Sequence, residues 1–174
     1  MTTQNMIPAW VDGSLTPVEK LAVHQRGLRH LAISVFVMRD DMILLQRRAL
    51  SKYHTPGLWA NTCCTHPHWG EDADVCATRR LSQELGITGL TLTHRGQLEY
   101  RADVGAGLIE HEVVEVFTAQ AGSDMPLDLN PDEVAEVRWI TLPDLDAEIT
   151  ANPQVFTPWL RIYMAEHRDT ILGT

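Results

Sequence analysis

Two rhythms of apolar positions run through this chain. "HLAISVFVM" and "MILLQRR" are short apolar runs joined by "RDD", the pattern of a β-hairpin leading into a core. "LTLTHRGQLEYRA", "IEHEVVEVFTAQ" and "EVRWITL" read as three further strands. The helical rhythm appears in "EDADVCATRRLSQELG". There Ala73, Ala77, Leu81 and Leu85 recur every fourth residue, acids fill the first turn, and Gly86 stands at the stop position. "LPDLDAEI" and "TPWLRIYMAEHRDTIL" also read as helices, the second capped by Thr157 with Pro158 in its first turn. One more helix is expected from "TPVEKLAVH", with Thr16 as cap, Pro17 at the first position and Glu19 closing a capping box. "SKYHTPGLWANTCCTHPHWG", broken by Pro56, Gly57, Pro67 and Gly70, reads as a loop. Strands mixed with helices on both sides predict an α/β fold, an α/β/α sandwich around a mixed sheet.

A length of 174 residues fits one domain over 1–174, with its core at about 16–165. With 44% hydrophobic and 21% charged residues the composition is that of a soluble globular protein. The run "LAISVFVM" is too short to span a bilayer, and "MTTQNMIPAW" lacks a basic region followed by an apolar stretch. A cytoplasmic monomer without a membrane partner is therefore expected. The net charge of −9 argues against nucleic acid as a partner, but a small anion needs only a local basic cluster. Three cysteines, two of them adjacent, make no disulfide framework; reduced thiols are expected.

Chemistry enters with "IEHEV". Strand alternation points Glu110 and Glu112 the same way and His111 the other, with Val114 and Val116 continuing the acids' face. Adjacent carboxylates on a partly buried face repel unless a cation neutralises them or one keeps its proton. A solvated strand face is the plain alternative. His24, His30 and His66 could add three nitrogens to the two oxygens, a set suited to a divalent transition metal. The other five histidines, His54 among them, carry no distinguishing signal. Cys64 lies two residues before His66, and in an extended stretch Cys63 and Cys64 face opposite ways, so one of them faces the site. Cys76 reads as core. Lys20, Arg48, Lys52 and Arg80, each by itself a surface charge, together with Glu84 resemble what a diphosphate and its Mg²⁺ require. Trp159 reads as core by default and as a π-face for a developing cation otherwise.

These stretches, taken in order, resemble a known family. "RRALSK", "PGLWANTCCTHPHWGE", "RRLSQELGI", "YRADVGAGLIEHEV" and "FTPWL" are similar to type I isopentenyl-diphosphate isomerases of the Nudix superfamily, from about Thr16 to about Tyr163. The general Nudix helix ends Arg-Glu-apolar-x-Glu-Glu-x-Gly-apolar. Here Arg79, Leu81, Glu84, Gly86 and Ile87 fit, while Arg80 and Gln83 replace two acids that hydrolytic members use for metal. The resemblance implies a Nudix-like sandwich that interconverts isopentenyl and dimethylallyl diphosphate through a tertiary carbocation. It implies that Cys64 and Glu112 transfer protons, Tyr100 hydrogen-bonds the catalytic acid, and Trp159 faces the reacting carbons. It also implies that His24, His30, His66, Glu110 and Glu112 bind a first divalent metal (Mn²⁺, Zn²⁺ or Mg²⁺). Glu84 and the Cys64 carbonyl would hold Mg²⁺ with the substrate, and Lys20, Arg48, Lys52 and Arg80 would contact its diphosphate. Thr65 departs from the family, which often has Gly there. The competing functions are a Nudix pyrophosphohydrolase of nucleotides, disfavoured by Arg80 and Gln83, and a metal-binding module, which would not need the basic residues.

Overall fold

The structure is a computed structural model and describes residues 5–173; residues 1–4, the beginning of the start read above, and Thr174 lie outside it. It opens with a hairpin of β1 (Met6–Val11) and β2 (Ser14–Glu19), which the helix reading of this segment missed. Asp12 and Gly13 form the turn with φ of 50° and 83°. Asp-Gly suits a two-residue turn because both central residues need positive φ. Thr16 pairs with Ala9 and Pro17 with Pro8, so neither belongs to a helix. Pairing with β1 holds the backbone extended through Glu19. The helix α1 (Lys20–Arg26) therefore opens at Lys20, where the Glu19 carboxylate accepts a hydrogen bond from the Ala22 N–H at 2.9 Å.

The chain continues through β3 (His30–Arg39), β4 (Met42–Arg48), β5 (Trp59–Ala60), β6 (Cys63–Thr65) and α2 (Ala73–Leu85). It ends with β7 (Thr93–Gly105), β8 (Leu108–Gln120), β9 (Val134–Thr141), α3 (Leu142–Ala151), α4 (Pro158–Glu166) and α5 (Arg168–Leu172). The expected hairpin of β3 and β4 is present but pairs only beside its turn, at Met38 with Ile43 and Arg39 with Met42. Beyond that the strands part. β3 lies parallel to β8 from His30 to Met38 and takes β6 on its other edge, while β4 takes β5 and β9. The short strands β5 and β6 fall inside the stretch read as a loop. Their pairing is set by these neighbours rather than by local periodicity, which is why the sequence does not announce them. The last helix of the reading is two, because His167 leaves helical geometry (φ −126°, ψ 15°) and lets α5 pack back on β7 and β8.

One side of the sheet packs on α2: Ile33, Val35 and Val37 of β3 meet Cys76, Ala77, Leu81 and Leu85. The other packs on α3, α4 and α5: Ala32 and Phe36, with Val114 and Val116 of β8, meet Leu145, Leu160, Tyr163 and Ile171. This is the expected α/β/α sandwich, held by large apolar side chains each worth about 1.5–3 kcal/mol on burial. α2 stops at Gly86 because φ is 66° there and a β-carbon would come within 2.6 Å of the Asp128 Cβ. Among the described residues no helix is long and apolar enough to cross a membrane. Alternation along the strands then places the chemistry. Glu110 and Glu112 share the α4 side with Val114 and Val116, Cys64 packs on that side, and Cys63 is buried on the α2 side.

Candidate active site

Five ligand atoms, one each from His24, His30, His66, Glu110 and Glu112, lie within 4.8 Å of one another. They come from α1, β3, the residue after β6, and β8, so the sheet register brings them together; His30 stands directly opposite Glu112. His24 and His30 are fully buried, and the two acids are 3% and 5% exposed, which excludes the solvated strand face. Backbone carbonyls orient two of the rings. His24 Nδ1 lies 2.6 Å from the Lys20 carbonyl and His30 Nδ1 lies 2.7 Å from that of Leu28. A carbonyl only accepts, so both Nδ1 atoms carry hydrogen and both Nε2 atoms present lone pairs when the rings are neutral. This is the arrangement that prepares a histidine for metal.

The lone pairs face other acceptors. His24 Nε2 has no hydrogen-bond partner and sits 3.6 Å from Glu110 Oε1. His30 Nε2 is 3.5 Å from Glu112 Oε1 and 3.2 Å from His66 Nε2, which is itself 2.9 Å from Glu112 Oε1. Acceptors converging in a buried space need a proton or a cation between them, and the nitrogen–carboxylate set fits a divalent metal. Burial and the neighbouring Lys20 and His30 hold His66 well below the usual histidine range, which keeps it neutral and ready to ligate.

Tyr100, on β7 opposite Glu112, places its hydroxyl 2.9 Å from Glu110 Oε2 and 2.9 Å from Glu112 Oε2. One phenolic hydrogen serves one of the two oxygens at a time, so the hydroxyl stands between the two acids. Burial works against the Glu112 carboxylate, yet the adjacent His30 ring and the hydrogen bond from the Tyr100 hydroxyl outweigh it and hold the group at about 2. Cys64 has the opposite character. Burial pushes its thiol up to about 12, against a weaker opposing hydrogen bond from Ser34. Its Sγ donates to Asn61 Oδ1 at 2.8 Å, and the Asn61 amide is fixed in turn by donating to the Val35 and Cys63 carbonyls. Cys64 therefore rests as a thiol and Glu112 as a carboxylate, facing one cavity.

The same cavity has a basic pole. Lys20, Arg48, Lys52 and Arg80 line it from α1, the parted end of β4, the loop after β4, and α2. Arg48 Nε and Arg80 Nε are buried without a hydrogen-bond partner. Glu84 accepts from Arg80 at 2.6 Å and from the Gln46 amide at 2.9 Å. Trp159, 2% exposed, completes the lining beside this pole, with its indole N–H unpartnered and the Arg48 guanidinium carbon 5.3 Å from the ring centre.

Every site residue read from the sequence thus converges here, with His24 and His30 behind the wall and the rest lining it. Cys63 and His68, the other members of their sequence pairs, fall outside the cavity lining. Thr65 lies in β6, paired with Ile33 on ordinary extended backbone, so its β-carbon is accommodated without strain. The reading missed several neighbours, Tyr53 on the cavity wall among them. His54 is buried with Nε2 3.2 Å from Glu110 Oε1 and its ring 6.0 Å from Trp159. Asn61 and Glu133 come from irregular segments that offer no periodicity to read. Gln46 did leave a signal, a polar residue at an inward position of β4.

Comparison with known proteins places this architecture. Residues 28–160 match the NUDIX domain family model. The chain is 67% identical to an isopentenyl-diphosphate Delta-isomerase of Rhodobacter capsulatus over 168 residues, covering 97% of this chain and 96% of that one. An isomerase of the same name from Dinoroseobacter shibae is 61% identical, covering 98% and 97%. Among solved structures, a MutT NUDIX hydrolase from Burkholderia pseudomallei superposes with a TM-score of 0.61 at 26% identity, covering 80% of this chain and 98% of that one. A Deinococcus radiodurans protein superposes with a TM-score of 0.73 at 16% identity over 91% and 96%, a likeness of fold.

Proposed function

This chain belongs to the NUDIX family, among its isopentenyl-diphosphate Delta-isomerases, and we propose that the cavity described above carries their reaction. Isopentenyl diphosphate becomes dimethylallyl diphosphate when a proton is added to the terminal alkene carbon and another leaves the carbon nearer the diphosphate. The observation that carries this reading is one cavity that sets the Cys64 thiol and the Glu112 carboxylate beside the buried histidine–glutamate cluster and four cationic side chains. A double-bond shift needs one group that gives a proton and one that takes a proton, and Cys64 and Glu112 are placed to fill these two roles. Tyr100 bridges the two acids and keeps a proton within reach of Glu112. Trp159 presents its π-face to the tertiary carbocation, worth about 0.5–2 kcal/mol and more when desolvated.

His24, His30, His66, Glu110 and Glu112 would hold a divalent ion, Mn²⁺, Zn²⁺ or Mg²⁺, and Glu84 with the Cys64 carbonyl would hold Mg²⁺ bound to the substrate. The first ion, when bound, neutralises the paired carboxylates and polarises Glu112; the second screens the diphosphate. Lys20, Arg48, Lys52 and Arg80, which line the cavity together, bind the diphosphate.

One assay tests the reaction: purified protein with Mg²⁺ and isopentenyl diphosphate, followed for acid-labile product. Release of phosphate or of a nucleoside monophosphate from nucleotides, with no dimethylallyl diphosphate formed, would favour the hydrolase reading instead.

The basic pole also predicts a pH dependence. Burial, reinforced by Lys52 and Arg80, lowers Lys20 to about 8. An anion binds the charged form, so pyrophosphate affinity is full below that value and falls as pH rises through it. Titration calorimetry from pH 7 to 9 is expected to show the fall in the wild type, and a smaller one in Lys20→Arg, which stays charged throughout. Parallel curves would remove Lys20 from the diphosphate site.

A further inference from the structure

Two of the four cations of the site meet at an acid that the family reading leaves without a role. Glu133 precedes β9, and its carboxylate reaches two cations on different elements. Lys52 Nζ lies 2.5 Å from Oε2, and Arg80 Nη2 lies 3.1 Å from Oε1. The turn that carries Glu133 is anchored on both sides. The Asn130 N–H donates to the Glu84 carbonyl at the end of α2, and the Glu133 and Val134 N–H groups both donate to the Asn130 carbonyl. The Ala49 N–H donates to the Glu133 carbonyl at 2.9 Å, tying the segment that leads to Lys52 against it. Backbone bonds thus fix the carboxylate at the cation junction, independently of any ligand.

Glu133 also lines the same cavity as Lys20, Arg48, Lys52 and Arg80. Its side chain is 23% exposed, beside Lys52 at 20% and Arg80 at 19%. Four cations crowd one pole, and without an anion among them they would repel one another at close range. Glu84 already accepts from Arg80 and Gln46, which leaves Lys52 to Glu133.

We propose that Glu133 is an internal stand-in for the substrate's diphosphate, holding Lys52 and Arg80 in the unliganded protein and giving them up when the anion binds. The proposal rests on the reading that these cations receive a diphosphate. The exchange makes and breaks only ion pairs and hydrogen bonds. Its consequence is that part of the attraction between the basic pole and the anion is spent on displacing Glu133. The site is kept ordered when empty, and its hold on an anionic product is weakened.

The test is the binding of inorganic pyrophosphate by calorimetry, with and without Mg²⁺, to the wild type, Glu133→Gln and Lys52→Met. Glutamine keeps the shape and removes the competing charge, so Glu133→Gln is expected to bind about fivefold to tenfold tighter, with or without Mg²⁺. Lys52→Met is expected to bind more weakly than wild type. Thermal melts check that each variant folds. If the wild type binds no pyrophosphate, or Lys52→Met binds as well as wild type, the diphosphate reading fails. If the wild type binds and Lys52→Met is weakened, yet folded Glu133→Gln binds equally or more weakly, the stand-in fails while the diphosphate reading survives. Weakening of Glu133→Gln confined to Mg²⁺-containing samples would make Glu133 a metal ligand and also overturn the stand-in.

Discussion

Cys64→Ala is expected to lose isomerase turnover by about 10²- to 10⁴-fold, the range typical of removing a positioned proton-transfer group. The fold and metal content should remain near those of the wild type. Cys64 touches Asn61 and Ser34 on the α4 side of the sheet and supplies no ligand atom to the histidine–glutamate cluster. Cys63→Ala is the matched control. Its thiol is fully buried on the opposite side with Cys76 and Leu81, and burial pushes it well above the usual thiol range. That variant should keep most of its turnover and lose about 1 kcal/mol of stability, the cost of a small core deletion. Steady-state rates with isopentenyl diphosphate, beside denaturant melts of both variants, decide the matter. Equal loss of activity from the two would mean that the thiol is misassigned, because only opposite-facing side chains can separate them.

The second large effect is on stability. Dialysis against a chelator is expected to lower the thermal midpoint as well as abolish activity. Two carboxylates and three imidazoles meet out of water, and removing the cation between them leaves the acids to repel in a buried setting. A ligand present at about 1,000 times its dissociation constant stabilises the native state by about 4 kcal/mol. For a chain of this size that corresponds to about 8–16 °C, at roughly 2–4 °C per kcal/mol. His66→Ala should lie between the wild type and the metal-free protein in both metal content and midpoint. It removes one nitrogen of five ligands, and it comes from the strand-end loop rather than from the core positions of His24 and His30. A midpoint insensitive to chelation and to readdition of Mn²⁺, Zn²⁺ or Mg²⁺ would count against a metal at this cluster.

Both expectations trace back to strand alternation, and that is where the sequence was most informative. "IEHEV" by itself sends Glu110 and Glu112 to one face, and "TCCTH" by itself separates Cys63 from Cys64, because a strand has a period of two whatever it packs against. α2 was equally legible, since its apolar stripe, its acidic first turn and Gly86 are all local signals. The order of motifs along the chain was enough to suggest the family to which it belongs.

What the sequence determined by itself was therefore whatever depends on neighbours a few residues away: periodicity, face, and helix ends. One local failure, the helix expected from Thr16, came from following a capping box and not reading the Asp12–Gly13 turn that pairs β2 with β1. Tertiary structure decided what depends on distant partners. The parting of β3 and β4, the parallel pairing of His30 with Glu112, and the short strands β5 and β6 all arise from contacts between remote segments. Those contacts aim the Nε2 atoms of His24 and His30 at the acids, bring His54 beside Glu110, and set Glu133 among cations from two other elements. No local pattern encodes such placements, because the ion pairs and hydrogen bonds that fix them form only once the sheet has closed.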